Sequence, residues 1–151
     1  MSPHFTLEEL CWSDTGVRHG VDNTPDASSL LAMESVLAPG LEDIRELLGH
    51  PLHINSGYRS PALNHLVGGS ETSAHSHGLA ADFTSSGFGT PAEIVRFLIN
   101  THLQFDQLIY EGTWVHFGCA LAEDRRSWRR QVLTAVFKPG QPTRYLSGVV
   151  T

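Results

Sequence analysis

Cysteine is scarce in this chain, with only Cys11 and Cys119 among 151 residues. Two thiols so far apart cannot supply a disulfide framework and do not make a metal-type pair, so both read as free, buried thiols. Basic residues are also few, ten against sixteen acidic ones, for a formal charge of −6. That balance argues against general nucleic-acid binding. Six of the ten lie between Arg125 and Arg144, leaving open a local basic face or a solvated strand edge. No stretch approaches the ~18 consecutive apolar residues of a membrane span. The opening MSPHFTLEELCW has neither a basic n-region nor an apolar h-region. The expectation is a chain made in the cytoplasm without a signal peptide and without membrane insertion. Internal repeats and low-complexity segments are missing too.

What is present suffices for one globular domain over residues 1–151, since 40% of the residues are hydrophobic. Thr6 followed by Glu9 predicts a capping box and a short helix to about Trp12, and SDTGVRHGVDNTPD reads as turn. Apolar residues from Leu30 to Leu48 recur at helical spacing, with Pro39 and Gly40 expected to kink or split the segment and Gly49 to stop it. Leu52–Ser56 reads as a strand, Ser60 and Pro61 open a short helix ending near Gly68, and Gly69–Gly78 reads as loop. A strand is predicted over Leu79–Thr84. Thr90, Pro91 and Glu93 then open a helix with Ile94, Phe97 and Leu98 on one face. FDQLIYE and TWVHFG predict two strands joined at Gly112, Gln131–Phe137 predicts another, and the tail after Pro139 reads as irregular. Helices first, then strands interleaved with helices, predict an α+β fold with a small antiparallel sheet flanked by helices.

Nine histidines make metal binding worth testing by spacing. In SETSAHSHGLAADFT, six residues separate His75, on a loop, from Asp82, in a strand. Strand alternation puts Ala80, Asp82 and Thr84 on one face and Ala81 and Phe83 on the other. In TWVHFG, Trp114, His116 and Gly118 share a face. Two imidazoles and one carboxylate would leave a zinc ion an open fourth position for water, the pattern of a catalytic site. The bound water's pKa would fall toward about 7. The alternative reading is hydrogen-bonded loop histidines beside a strand-end aspartate.

The ordered set SGYRSPALN, SAHSHGLAAD and WVHF resembles the zinc D-alanyl-D-alanine carboxypeptidase family, particularly its compact phage and prophage peptidoglycan peptidases. Ser73, His75, Asp82, Trp114 and His116 match that family's signature position by position, and FTLEEL and DNTP extend the likeness over nearly the whole chain up to about Gly118. The resemblance implies the fold shared by these peptidases and the hedgehog signalling domain, and one Zn²⁺ per chain. It makes His75, Asp82 and His116 the metal ligands and gives His77 a supporting or solvent-facing role. It places Arg59 at the substrate, where a planar fork suits a carboxylate or an oxyanion. Tyr58, Ser73 and Trp114 are further candidates for substrate binding, each with a plain structural alternative.

The general base departs from the pattern. Well-known members carry an acid three positions before the last histidine, where this chain has Thr113. Glu111 is the nearest carboxylate, and a tight turn or bulge at Gly112 could swing it toward the metal; Asp106 is a distant second. The expected function is zinc-dependent hydrolysis of a peptide bond in peptidoglycan stem or cross-link peptides, as carboxypeptidase or endopeptidase. The chain is expected to act as a monomer on the cell wall, as a phage endolysin or a virion component. The alternative is a non-catalytic, zinc-stabilised wall-binding or phage-tail module. A weaker third reading is a cytoplasmic dipeptidase acting on D-amino-acid peptides.

Overall fold

A computed structural model of the chain describes residues 1–121 and 128–151. Arg125 and Arg126, part of the basic cluster, lie outside the described residues. No helix among those described is long and apolar enough to cross a membrane.

The first elements are set by their caps. In α1 (Leu7–Cys11) the Thr6 hydroxyl accepts the Glu9 N–H at 3.1 Å. A second short helix, α2 (Asp14–His19), occupies the stretch read as turn. Its six residues have little apolar period, but Ser13 caps the Gly16 N–H and Gly20 closes the helix at φ +63°. Capping chemistry, not hydrophobic spacing, makes this helix.

Pro39 was expected to kink or split the long apolar segment, yet the segment runs through as one helical unit. α3 (Ala27–Ala32) passes into a π turn (Met33–Leu37) and then α4 (Ala38–Leu48), which ends at Gly49. The Ala38 N–H reaches back five residues to the Met33 carbonyl. That wider turn makes room ahead of the proline ring, which would otherwise clash with the carbonyl four residues back. Met33, Leu37, Leu41 and Ile44 therefore stay in one fully buried stripe.

The remaining elements are β1 (His53–Ser56), α5 (Pro61–Leu66), a 3₁₀ turn (Ala74–His77), β2 (Ala80–Thr84), α6 (Pro91–Leu98), β3 (Gln107–Tyr110), β4 (Val115–Gly118), β5 (Gln131–Val136) and β6 (Arg144–Ser147). The 3₁₀ turn lies inside the stretch read as loop. α6 carries the expected capping box. Its buried residues, however, are Ala92, Ile94, Val95 and Leu98, while Phe97 turns outward against Phe88.

One six-stranded sheet runs in the order β1-β2-β4-β3-β5-β6. Every neighbouring pair is antiparallel except β3 and β5, which run parallel. The tail read as irregular supplies β6. It returns on β5 through Lys138–Gln141, where Pro139 and Gly140 (φ +70°) form the proline-glycine centre of a type II turn. One sheet face is apolar: Ala81, Phe83, Leu108, Val115 and Phe117 are fully buried beneath the helices. Gly40 of α4 lies so close to the Phe117 ring that a Cβ there would come within 2.8 Å of it. The other face carries the polar residues of interest.

Candidate metal centre

Register brings two of the three candidate ligands together. Asp82 on β2 lies directly opposite His116 on β4, and both point to the open face of the sheet. His75 descends from the 3₁₀ turn that precedes β2. All three are largely withdrawn from solvent, at 3%, 9% and 8% exposure for His75, Asp82 and His116. His116 Nδ1 lies 3.0 Å from Asp82 Oδ1, His75 Nε2 lies 3.4 Å from the same oxygen, and the two ring nitrogens are 3.3 Å apart.

These separations fit one small cation. Ligand atoms about 2.0–2.1 Å from a tetrahedral ion stand about 3.3 Å from each other. The proton pattern agrees. His75 Nδ1 lies 2.8 Å from the Gly57 carbonyl, which assigns the proton to Nδ1 and leaves Nε2 a bare lone pair facing the Asp82 carboxylate. Burial pushes the His75 pKa down, toward the neutral form that ligates metals. For Asp82 burial pushes upward, but the neighbouring His116 and His75 rings outweigh it and hold the carboxyl well below its usual range. A lone pair and a carboxylate left facing each other repel unless a cation lies between them.

Two glycines let the loops approach closely enough. A Cβ on Gly57 would meet the Leu10 carbonyl oxygen at 2.2 Å, and Gly57 presents its own carbonyl to His75. Gly78, at φ +68°, ends the 3₁₀ turn against α3, where a Cβ would meet the Ser29 carbonyl oxygen at 2.4 Å. Gly78→Ala combines a left-handed backbone with that clash, so it is expected to cost at least about 1–3 kcal/mol of stability. Urea unfolding of the metal-free protein measures this; a loss within about 0.5 kcal/mol, as for an ordinary surface change, would contradict the packing described.

The triad sits in a cleft of about 610 Å³ whose lining includes Arg59, Ser73, Glu111 and Trp114. Arg59 Nη2 donates to Ser73 Oγ at 3.3 Å, while its buried Nε has no partner among the described residues. Burial lowers the Arg59 pKa, and the charges of Asp82 and Glu111 act against that. Glu111 reaches the cleft through a very tight turn. The Thr113 N–H donates to the Glu111 carbonyl around Gly112 at φ +80°, and the Glu111 N–H donates to the Trp114 carbonyl. This three-residue turn is the strained γ form, which glycine adopts most readily. Burial raises the Glu111 pKa and Asp82 adds to it, with His116 and Arg59 pulling the other way.

Holding Glu111 ionised therefore costs the metal-free fold some stability. The benefit of a protonated Glu111 is complete below the ordinary glutamate range, about 4.3, and is lost as pH rises through the folded-state value. Metal-free Glu111→Gln should melt at a higher temperature than wild type at pH 7, with the advantage gone by about pH 4. Equal melting at both pH values would mean that Glu111 is solvated as in an unfolded chain.

The remaining sequence-derived candidates are placed as follows. Tyr58 does not line the cleft; it is 3% exposed and packed in the core, its backbone N–H bonded to the Leu10 carbonyl. The expected substrate contact for Tyr58 is therefore corrected. Asp106 lines the same cleft as Glu111, but Arg129 holds it in a two-pronged ion pair, at 2.8 Å on each oxygen, so its carboxylate is already engaged. His77 is exposed and lines a different depression, with Asp26 and His65. Free cysteines are as expected, although Cys11 is only half-buried.

The cleft also includes Gln107, Ile109, Phe137, Thr143 and Tyr145, none of which the sequence reading singled out. Their odd numbering, on β3 and β6 and just beyond the ends of the β5–β6 pair, was a usable signal, but only once strand order and register were known. The family model described as Peptidase M15 matches residues 3–118. No curated protein matches the chain significantly.

Proposed function

We propose, for a chain that belongs to the peptidase M15 family, zinc-dependent hydrolysis of a peptide bond in the stem or cross-link peptides of peptidoglycan. Residues 1–151 are taken as one peptidase domain, because β5 and β6 continue the sheet that carries the ligands. His75, Asp82 and His116 would hold the ion. When bound, it supplies Lewis acidity for the attacking water and the scissile carbonyl.

The chain's own residues complete the chemistry. Glu111 accepts the proton of the attacking water and returns it to the leaving amine, and its raised pKa suits both transfers better than an ordinary glutamate would. The Arg59 guanidinium, which lines the cleft and is fixed by Ser73, donates to the carbonyl oxygen as negative charge develops on it. Trp114 walls the cleft beside them and keeps bulk water from the reacting bond.

The observation carrying this reading is that Glu111 lines the same cleft as the three ligands despite the departure at Thr113. A zinc-stabilised binding module has no use for a partly desolvated carboxylate there. An endolysin or virion-associated wall enzyme is the biological setting we favour. Purified peptidoglycan treated with zinc-loaded and with chelator-treated protein, followed by mass analysis of the fragments, tests the function. New peptide termini should appear only with the loaded protein, and their identity separates carboxypeptidase from endopeptidase. Intact peptidoglycan under both conditions would sink the catalytic reading.

A further inference from the structure

The family match stops at Gly118, but the cleft does not. Beyond β3 the sheet continues as the β5–β6 hairpin, and register fixes which of its side chains face the ligands. Ile109 lies opposite His116 on one side and beside Leu133 on the other. Leu133 pairs with Ser147, and Ala135 with Tyr145. Alternation then carries Phe137, Thr143 and Tyr145 to the face that bears Asp82 and His116, and all three line the cleft. Phe137 and Tyr145 are each 54% exposed, and the Phe137 ring lies 6.3 Å from that of Trp114. Burial, Glu111 and then Asp82 raise the Tyr145 pKa, which keeps its phenol a neutral hydrogen-bond donor beside the two carboxylates.

We propose that the β5–β6 hairpin is the leaving-group subsite. There Trp114 and Phe137 pack on the methyl and methylene groups of the segment released as an amine, and the Tyr145 hydroxyl donates to one of its carbonyls. This rests on the peptidase reading with Glu111 as the proton shuttle. The leaving nitrogen must come within hydrogen-bond reach of Glu111, at the end of β3. Residues beyond that nitrogen then run toward β5 and β6, away from Arg59 and Ser73, which flank β2. Three strand spacings separate β4 from β6, about 14 Å, whereas one extended residue covers about 3.5 Å. The wall is therefore long enough for several residues. It selects a multi-residue leaving group, as in a cross-linked peptide, over a single terminal amino acid.

Two synthetic peptides test this, sharing the acyl side but releasing either one D-alanine or a segment of three or more residues. In the zinc-loaded full chain, Phe137→Ala/Tyr145→Ala should lower the ratio of kcat/KM for the long peptide to that for the short one by about tenfold. Phe137→Leu and Tyr145→Phe preserve volume and guard against simple unfolding; each should lower the ratio in the same direction by less. Binding is read separately by titrating zinc-loaded Glu111→Gln with the long peptide by calorimetry, where adding the double substitution should raise Kd about tenfold. An unchanged ratio together with an unchanged Kd, or no binding of the long peptide by Glu111→Gln, overturns the subsite. If wild type cuts neither peptide but Kd still depends on the hairpin, the peptidase reading fails and takes the leaving-group role with it, leaving the hairpin as a peptide-binding wall only.

Discussion

His116→Ala is expected to reduce kcat/KM on a peptidoglycan peptide by on the order of 10⁴-fold or more, and zinc retained after dialysis to background. The size follows from the geometry. The ion is proposed to have three protein ligands, and His116 Nδ1 is the one within 3.3 Å of both others. Removing it leaves His75 and Asp82, which cannot by themselves define a tetrahedral site with an open position. The loss should look like chelation of the wild type, except that zinc restores only the chelated wild type. Activity surviving in His116→Ala at more than a few per cent would place the metal elsewhere.

The second large effect is expected at Glu111. Glu111→Gln should lower kcat by about 10²–10⁴-fold, the usual worth of a positioned general acid–base. Zinc content and KM should hardly move, because glutamine keeps the shape and loses only the proton traffic. This separates the shuttle from the ligands, whose loss removes metal as well. Near wild-type kcat in Glu111→Gln would assign proton transfer to another group. Paired with the expected gain in metal-free stability at neutral pH, the variant would show a buried carboxylate kept for chemistry at the expense of the fold.

Much of the site was legible because it depends on local rules. Thr6, Ser60 and Thr90 cap helices as their positions predict. Alternation along two short strands put Asp82 and His116 on one face, and the register of β2 with β4 agrees. A glycine beside Glu111 signalled a turn sharp enough to redirect a carboxylate. What escaped the reading is nonlocal or masked by polarity. β6 is mostly exposed and has no apolar alternation to betray it, and its place in the cleft wall follows from β5 pairing in parallel with β3, which no residue pattern specifies. Tyr58 follows β1 on the loop that carries Arg59, and no local pattern there tells a cleft-facing residue from the buried one it is.

The hydrogen-bonded contacts of the triad span 34 and 41 residues of chain, which bears on the order in which the molecule assembles. Those loops close only when β2 has docked on β4, after the local helices can already have formed. An unfolded chain offers scattered histidines and no site, so ion capture becomes a late event and a reporter of completed strand pairing. Free zinc in excess of its dissociation constant then adds to native stability through the logarithm of its concentration. Before it cuts anything, the ion acts as a concentration-dependent latch across the middle of the sheet.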